Sequence, residues 1–347
     1  MRSSVVLIAC VAAGLAAPGA ARAKPLLLIS TEASGEVVVV DPAKAQPVGS
    51  VKVGARARGL KLSKDGKRAF VAVAGPVKKN PAAPGPVPAP APRADDASGL
   101  VVVDVAARKV TKRVAIPPSP FGVDISPDGK IAYVSNSETN QLLAVDVGSG
   151  QIKQTTRVGA EPQGVAVRPD GKVVFVATHG SDEICAIDTK KMALLGRIDG
   201  GSKPQTVLLA PRGVATAFVP DEGLPNITMV DTKQNTFKGQ FGVSGLPKTT
   251  PPAVLQSVAV SPDGKILYLT TGAGKSVLFV DPEKKEVVGT VEGVGAFPRG
   301  IAISADGKKL YTANGPSNDV AIIDIASRKV EARVPVPGAP WAVVVAP

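Results

Sequence analysis

The sequence predicts an all-β protein, a closed seven-bladed β-propeller with four antiparallel strands per blade and a first blade completed by the C-terminal strand. Three observations predict it. An aliphatic–Asp pair recurs at Val40-Asp41, Val103-Asp104, Val145-Asp146, Ile187-Asp188, Val230-Asp231, Val280-Asp281 and Ile323-Asp324, mostly 42 or 43 residues apart, a period typical of propeller blades. Asp-Gly turns separate short apolar runs at Asp65-Gly66, Asp128-Gly129, Asp170-Gly171, Asp263-Gly264 and Asp306-Gly307, with Arg212-Gly213 as a worn copy. Finally, the chain ends on Pro340-Trp341-Ala342-Val343-Val344-Val345-Ala346-Pro347, the strand that opens each middle unit and that the first unit lacks. Placed beside the strand starting at Leu26, it closes the ring and removes the exposed edges of an open array.

Taken in order, Met1–Ala23 combines Arg2, an apolar run from Val5 to Ala17, Pro18-Gly19 and the small-residue site Ala21-Arg22-Ala23. This is the pattern of a secretory signal cleaved after Ala23, so residues 24–347 are the propeller and the expected location is periplasmic or secreted. Cys10 lies too early in the apolar run for a lipoprotein site. No later stretch approaches the roughly 20 apolar residues needed to span a bilayer. Cys185 alone remains after cleavage, so the core rather than cross-links must hold the fold, and Cys185 is expected to be buried.

Phe121 to Gly159 shows one unit in full. Gly122–Ser126 alternates apolar and small residues, Pro127-Asp128-Gly129-Lys130 turns, Ile131–Ser135 and Leu142–Val147 form the next two strands, and Ile152–Val158 the fourth. Two longer intervals hold insertions, a Pro-rich one at Gly75–Ala97 and another at Gly242–Pro252. The spaced prolines of the first favour an extended polyproline II loop. The formal charge of +12 falls to +10 without Arg2 and Arg22. Lys67, Lys130, Lys172, Lys265 and Lys308 fall in successive first turns, where solvated lysines serve solubility and edge protection.

Ser126-Pro127-Asp128-Gly129-Lys130 with Tyr133-Val134-Ser135-Asn136, and Asp306-Gly307 with Tyr311-Thr312-Ala313-Asn314, resemble the YVTN family of bacterial β-propeller repeats. The resemblance covers nearly all of the chain after the leader. It implies a secreted propeller of the YncE-like kind and, with that, single-stranded DNA as a ligand.

In this topology the loops after second strands and the loops between blades gather at one mouth of the central channel, where departures from the repeat carry information. The residue in the middle of each Pro-x-Gly-like segment reads, around the ring, Arg58, Phe121, Gln163, Gln205, Gln256, Arg299 and Trp341. Two guanidiniums, three amides and two aromatics suit a planar or anionic ligand, single-stranded nucleic acid included. Lys61 and Asp124 share one inner-strand position that is Ala166, Ala259 and Ala302 elsewhere, which predicts a structural ion pair between blades.

His179 is the only histidine. That argues against multinuclear copper, haem and catalytic zinc. No P-loop, nucleophile elbow or paired-Cys motif occurs, and no metal or cofactor is expected. The reading that follows is an exported, monomeric, non-enzymatic scaffold that binds a protein or a small anionic or planar ligand through the channel mouth. Single-stranded DNA binding is the alternative. A lactonase-type propeller enzyme is the third reading, with His179, Glu183 and Arg299 as its candidate set.

Overall fold

Each repeat folds as a four-stranded antiparallel sheet, and the seven sheets make a complete ring. The computed structural model describes residues 25–76, 97–211 and 213–347. The predicted leader and nearly all of the Pro-rich insertion lie outside the described residues. Blade 1 is built from Pro340–Ala346, Leu26–Thr31, Glu36–Asp41 and Gln46–Lys52, in that order from the channel outward. Its two chain ends pair as neighbours, Leu27 with Val345 and Ile29 with Val343. A 3-10 turn at Gly272–Gly274 is the sole helical element among the described residues.

The turn chemistry is repeated almost atom for atom. Ser126 Oγ donates to Asp128 Oδ1 at 2.6 Å and the Lys130 N–H donates to the same oxygen at 3.1 Å, while Gly129 takes φ +72°. The Asp that ends each third strand caps the next turn. Asp146 Oδ1, for example, accepts the Ser149 N–H at 2.7 Å, and this hydrogen bond is the main reason its pKa falls to about 2.

Packing energy sits between blades. The second strand carries a large side chain at its centre, such as Phe70, Tyr133, Phe175 or Tyr311, and each reaches into the following blade. Phe70 shares a buried cluster with Val134 and Leu143, and Tyr311 shares one with Leu27 and Ile29 of blade 1. Phe70 and Phe175 are fully buried, so truncating either to Ala should cost about 3–5 kcal/mol. Cys185 is buried in the same kind of cluster.

Lys61 Nζ lies 3.0 Å from Asp124 Oδ1 across the boundary of blades 2 and 3. Asp124, 5% exposed, also accepts the Val167 N–H of blade 4 at 2.9 Å, so one carboxylate ties three blades together beside the axis. Blades 5 and 6 are the irregular ones. Their inner strands shrink to Leu208–Leu209 and Val258–Val260, the second just after the Gly242–Pro252 insertion.

Candidate active site

At six blade boundaries the chain passes through a left-handed non-glycine residue two places before the crown side chain: Arg56, Ser119, Glu161, Lys203, Phe297 and Ala339, with φ from +49° to +70°. Such backbone is uncommon outside glycine, and here it turns each connection into the channel wall. The glycine after the crown residue has a different task. A Cβ at Gly164 would stand 2.6 Å from the Gln205 carbonyl oxygen and one at Gly300 2.8 Å from that of Trp341. Bare backbone at these points lets neighbouring inner strands converge. Between them lies a cavity of about 180 Å³, walled by Phe121, Gln205, Arg299 and Trp341.

One side of the mouth is cationic and aromatic. The Trp341 ring has the Arg299 guanidinium 4.3 Å from its centre and the Arg58 guanidinium at 4.9 Å, and Phe121 meets Trp341 edge-on at 5.8 Å. Arg58 is neutralised, since its Nε and Nη2 both donate to Glu32 Oε1, at 3.0 and 2.7 Å. Arg299 is not. Among the described residues no hydrogen-bond acceptor or carboxylate touches its guanidinium, and Glu32 and Glu222 reach it only through their fields. Burial lowers its pKa, so it is a desolvated cation facing the cavity, and an anion there would interact strongly.

The other side is built on Glu222. Its Oε2 accepts from His179 Nε2 at 3.0 Å and from Gln205 Nε2 at 3.3 Å, and its Oε1 accepts from Gln256 Nε2 at 3.1 Å. Both ring nitrogens face carboxylates, which can only accept, so the imidazolium satisfies both, and on losing a proton His179 keeps the one on the shorter, less exposed Nε2–Glu222 bond and frees a lone pair on Nδ1. Nδ1 faces the exposed Glu161 Oε2 at 3.4 Å. The Glu222 hydrogen bond raises the His179 pKa against the opposing effect of burial, and the same bond lowers that of Glu222.

Beside Glu222, Asp221 is fully buried. It accepts from Gln240 Nε2 at 2.9 Å and from Thr228 Oγ1 at 3.4 Å, with no cation against it. Burial pushes its pKa up to about 7, and the field of Asp199 adds to the rise.

Of the predicted crown, Arg58, Phe121, Arg299 and Trp341 stack together, and Gln205 and Gln256 join at Glu222. Gln163 stands apart in a cleft with Arg58, Phe121 and Glu161. The predicted set of His179, Glu183 and Arg299 does not form, because Glu183 starts an outer-lying strand and pairs with Arg197 at 2.5 Å. Glu222 takes its place. The sequence signal was available: His179 and Glu222 each follow a second strand, 43 residues apart, the interval that separates Asp188 from Asp231. Glu32 holds the same position in blade 1. Among the described residues, no three His, Cys, Asp or Glu side chains are arranged to hold a metal ion.

A family model described as "Lactonase, 7-bladed beta-propeller" matches residues 103–207 and 213–343. The chain superposes on a candidate 6-phosphogluconolactonase of Bacteroides fragilis with a TM-score of 0.70 at 15% identity, covering 93% of this chain and 98% of that one. A second, from Bacteroides uniformis, gives 0.70 at 17%, covering 93% and 99%. Hydrazine synthase of Kuenenia stuttgartiensis gives 0.66 at 21%, covering 82% and 88%. At these identities the structural likeness shows the fold. No curated protein matches the chain.

The family match overturns the expectation of a non-enzymatic scaffold, and of its DNA-binding variant, in favour of a lactonase-type enzyme. That expectation leaned on the scarcity of histidine. A single histidine oriented by a carboxylate is enough for hydrolytic chemistry, and sequence distance had hidden the carboxylate.

Proposed function

Because the chain belongs to the lactonase family of seven-bladed β-propellers, we propose that it hydrolyses a lactone at the channel mouth, with His179 as general base and Arg299 as the electrostatic partner of the carbonyl. The observation that carries this reading is the His179–Glu222 pair, held by Gln205 and Gln256 near an unmatched, desolvated guanidinium. The name of the two Bacteroides proteins supports a sugar lactone bearing a phosphate. Arg56, at the rim, shares Glu32 with Arg58, at 3.8 Å, and gives this side of the mouth a net positive charge for that group.

The steps follow from the groups. Water donates a proton to His179 Nδ1 as its oxygen attacks the lactone carbonyl, and Glu222 steadies the imidazolium that forms. Negative charge gathers on the carbonyl oxygen, where Arg299 stabilises it in a site poor in water. The ring C–O bond then breaks, and His179 returns the proton to the departing alkoxide, giving the hydroxy acid.

Acid release from 6-phosphoglucono-δ-lactone and glucono-δ-lactone, corrected for spontaneous opening, tests this. Glu222→Gln and Arg299→Gln should each lower kcat/KM by about 100-fold. Wild-type rates in both variants, or no acceleration of either lactone by the wild type, would remove the reading.

We further propose an exported protein with YVTN-like repeats, its leader cleaved after Ala23. The intact mass of the protein recovered from a secreting host should correspond to a chain starting at Lys24.

A further inference from the structure

The face opposite the channel mouth is made from the first and last turns of each blade. Backbone bonds bind the two sets side by side: the carbonyls of Lys67, Lys130, Lys172 and Lys308 accept the N–H groups of Val105, Val147, Thr189 and Ile325. Lys67, Lys130, Lys172, Lys265 and Lys308 in the first turns are exposed, as are Lys44, Lys190, Lys191, Lys233, Lys284 and Lys285 in the last turns. The Lys130 and Lys284 side chains are 78% and 69% exposed, and each stands 3.9 Å from its nearest carboxylate.

The aspartates of this face are turned back onto their own turns. Asp65, Asp128, Asp263 and Asp306 each accept a Ser hydroxyl and the N–H two residues on. Asp41, Asp188 and Asp231 are turned onto N–H groups of their own turns. Carboxylates are therefore held against the backbone, while ammonium groups on four-carbon stems reach beyond them. Asp65, Asp128, Asp170, Asp263, Asp306 and Glu283 are exposed as well, but an oxygen of each of these aspartates is engaged within its own turn. The mouth face is mixed, with exposed Glu138, Glu161, Asp182, Asp199 and Glu292 beside exposed Lys52, Lys203, Lys248 and Lys275.

We propose that this lysine-bearing face docks on the surface of an anionic lipid bilayer and leaves the channel mouth turned to the solution. A ring of turns spread across one face of a disc fits a flat anionic surface, to which each lysine adds attraction that decays within a Debye length. No Phe, Tyr or Trp lies in the described turns of this face, so it lacks the stacking platforms that single-stranded nucleic acid uses. Val214 is the large apolar side chain exposed in its described turns, too little for insertion, which makes the contact electrostatic and reversible. The inference is independent of the catalytic reading.

Flotation with vesicles tests it. The protein should float with vesicles of phosphatidylcholine containing about 30% phosphatidylglycerol at about 50 mM salt, and neither with pure phosphatidylcholine nor at about 500 mM salt. Reversing Lys67, Lys172, Lys191 and Lys308 to Glu should cut the bound fraction about tenfold or more, whereas Lys203→Glu with Lys275→Glu, on the mouth face, should leave it unchanged. Amide exchange of the wild-type protein on vesicles supplies a readout that needs no variant: the turns at Asp128–Lys130 and Asp170–Lys172 should slow and the His179–Gly180 loop should not. Binding to neutral vesicles, binding that survives high salt or the fourfold reversal, protection at the mouth instead, or retention of an oligonucleotide with no flotation would each overturn the proposal.

Discussion

Blades 3 and 5 are copies of one unit put to different uses. In blade 3 the inner strand runs the full Pro120–Ile125, whereas in blade 5 it is Leu208–Leu209. At the end of the second strand, blade 3 places Asn136, whose Nδ2 donates to Pro117 O at 2.7 Å and whose Oδ1 accepts two loop N–H groups. Blade 5 places Asp221 at that point, buried and without a cation. The next residue is Ser137 in one and Glu222 in the other. Ser137 ties to the entry of its own blade at Ser119 O, 3.1 Å away, while Glu222 holds Gln205 of its own blade and reaches His179 and Gln256 of the two neighbouring ones. Where the repeat is intact its polar residues stabilise the blade. Where it is worn they are free to serve the channel mouth, as expected if local rules are broken at functional sites.

The largest effect should come from removing Pro340–Pro347. Blade 5 persists with a two-residue inner strand because its other three strands stay paired, but blade 1 would lose the strand that joins the chain ends. Cooperative melting should disappear or fall well below that of the full chain, and an unchanged melting temperature would show that closure does not hold the ring.

A smaller effect concerns pH. Activity needs neutral His179, whose pKa stands above its usual 6.5 because of Glu222 first and Glu161 after it. The kcat/KM for lactone opening should therefore rise with pH through that elevated value. Glu161→Gln should move the midpoint down. Stability should run the other way, since a raised histidine pKa stabilises the fold fully below the unfolded value and loses that contribution as pH climbs through the folded one. A profile flat from pH 5 to 9 would separate His179 from the chemistry.

The smallest effect sharpens the contrast at the buried carboxyl. With a folded pKa of about 7 against 3.8 when exposed, Asp221 destabilises the fold increasingly as pH rises between those values. Asp221→Asn should raise Tm by several degrees at pH 8 and hardly at pH 4, whereas the matching change in blade 3, Asn136→Asp, should lower it. An equal shift at both pH values would mean that packing, not charge, governs this site.

Much of the ring could be read in advance because its rules are local. Ser126, Asp128 and Gly129 make their turn within a few residues, and the alternation of Ile131–Ser135 requires no distant partner. The crown positions could be read as one ring, since the glycine after four of them marks where inner strands crowd the axis. Glu222 was missed and Glu183 preferred because Glu183 is near His179 in sequence. In a propeller, however, the partner across the mouth lies one whole repeat away.

By itself, then, the sequence determined the number of blades, their turn chemistry and the circular joining of the chain ends, all of which follow from short-range backbone preference and a fixed period. Only the tertiary structure decided which charges meet. Arg58 is neutralised by Glu32 and Arg299 is not, and His179 turns to Glu222 while Glu183 turns to Arg197, because electrostatic partnership depends on distances of a few ångströms between side chains of different blades.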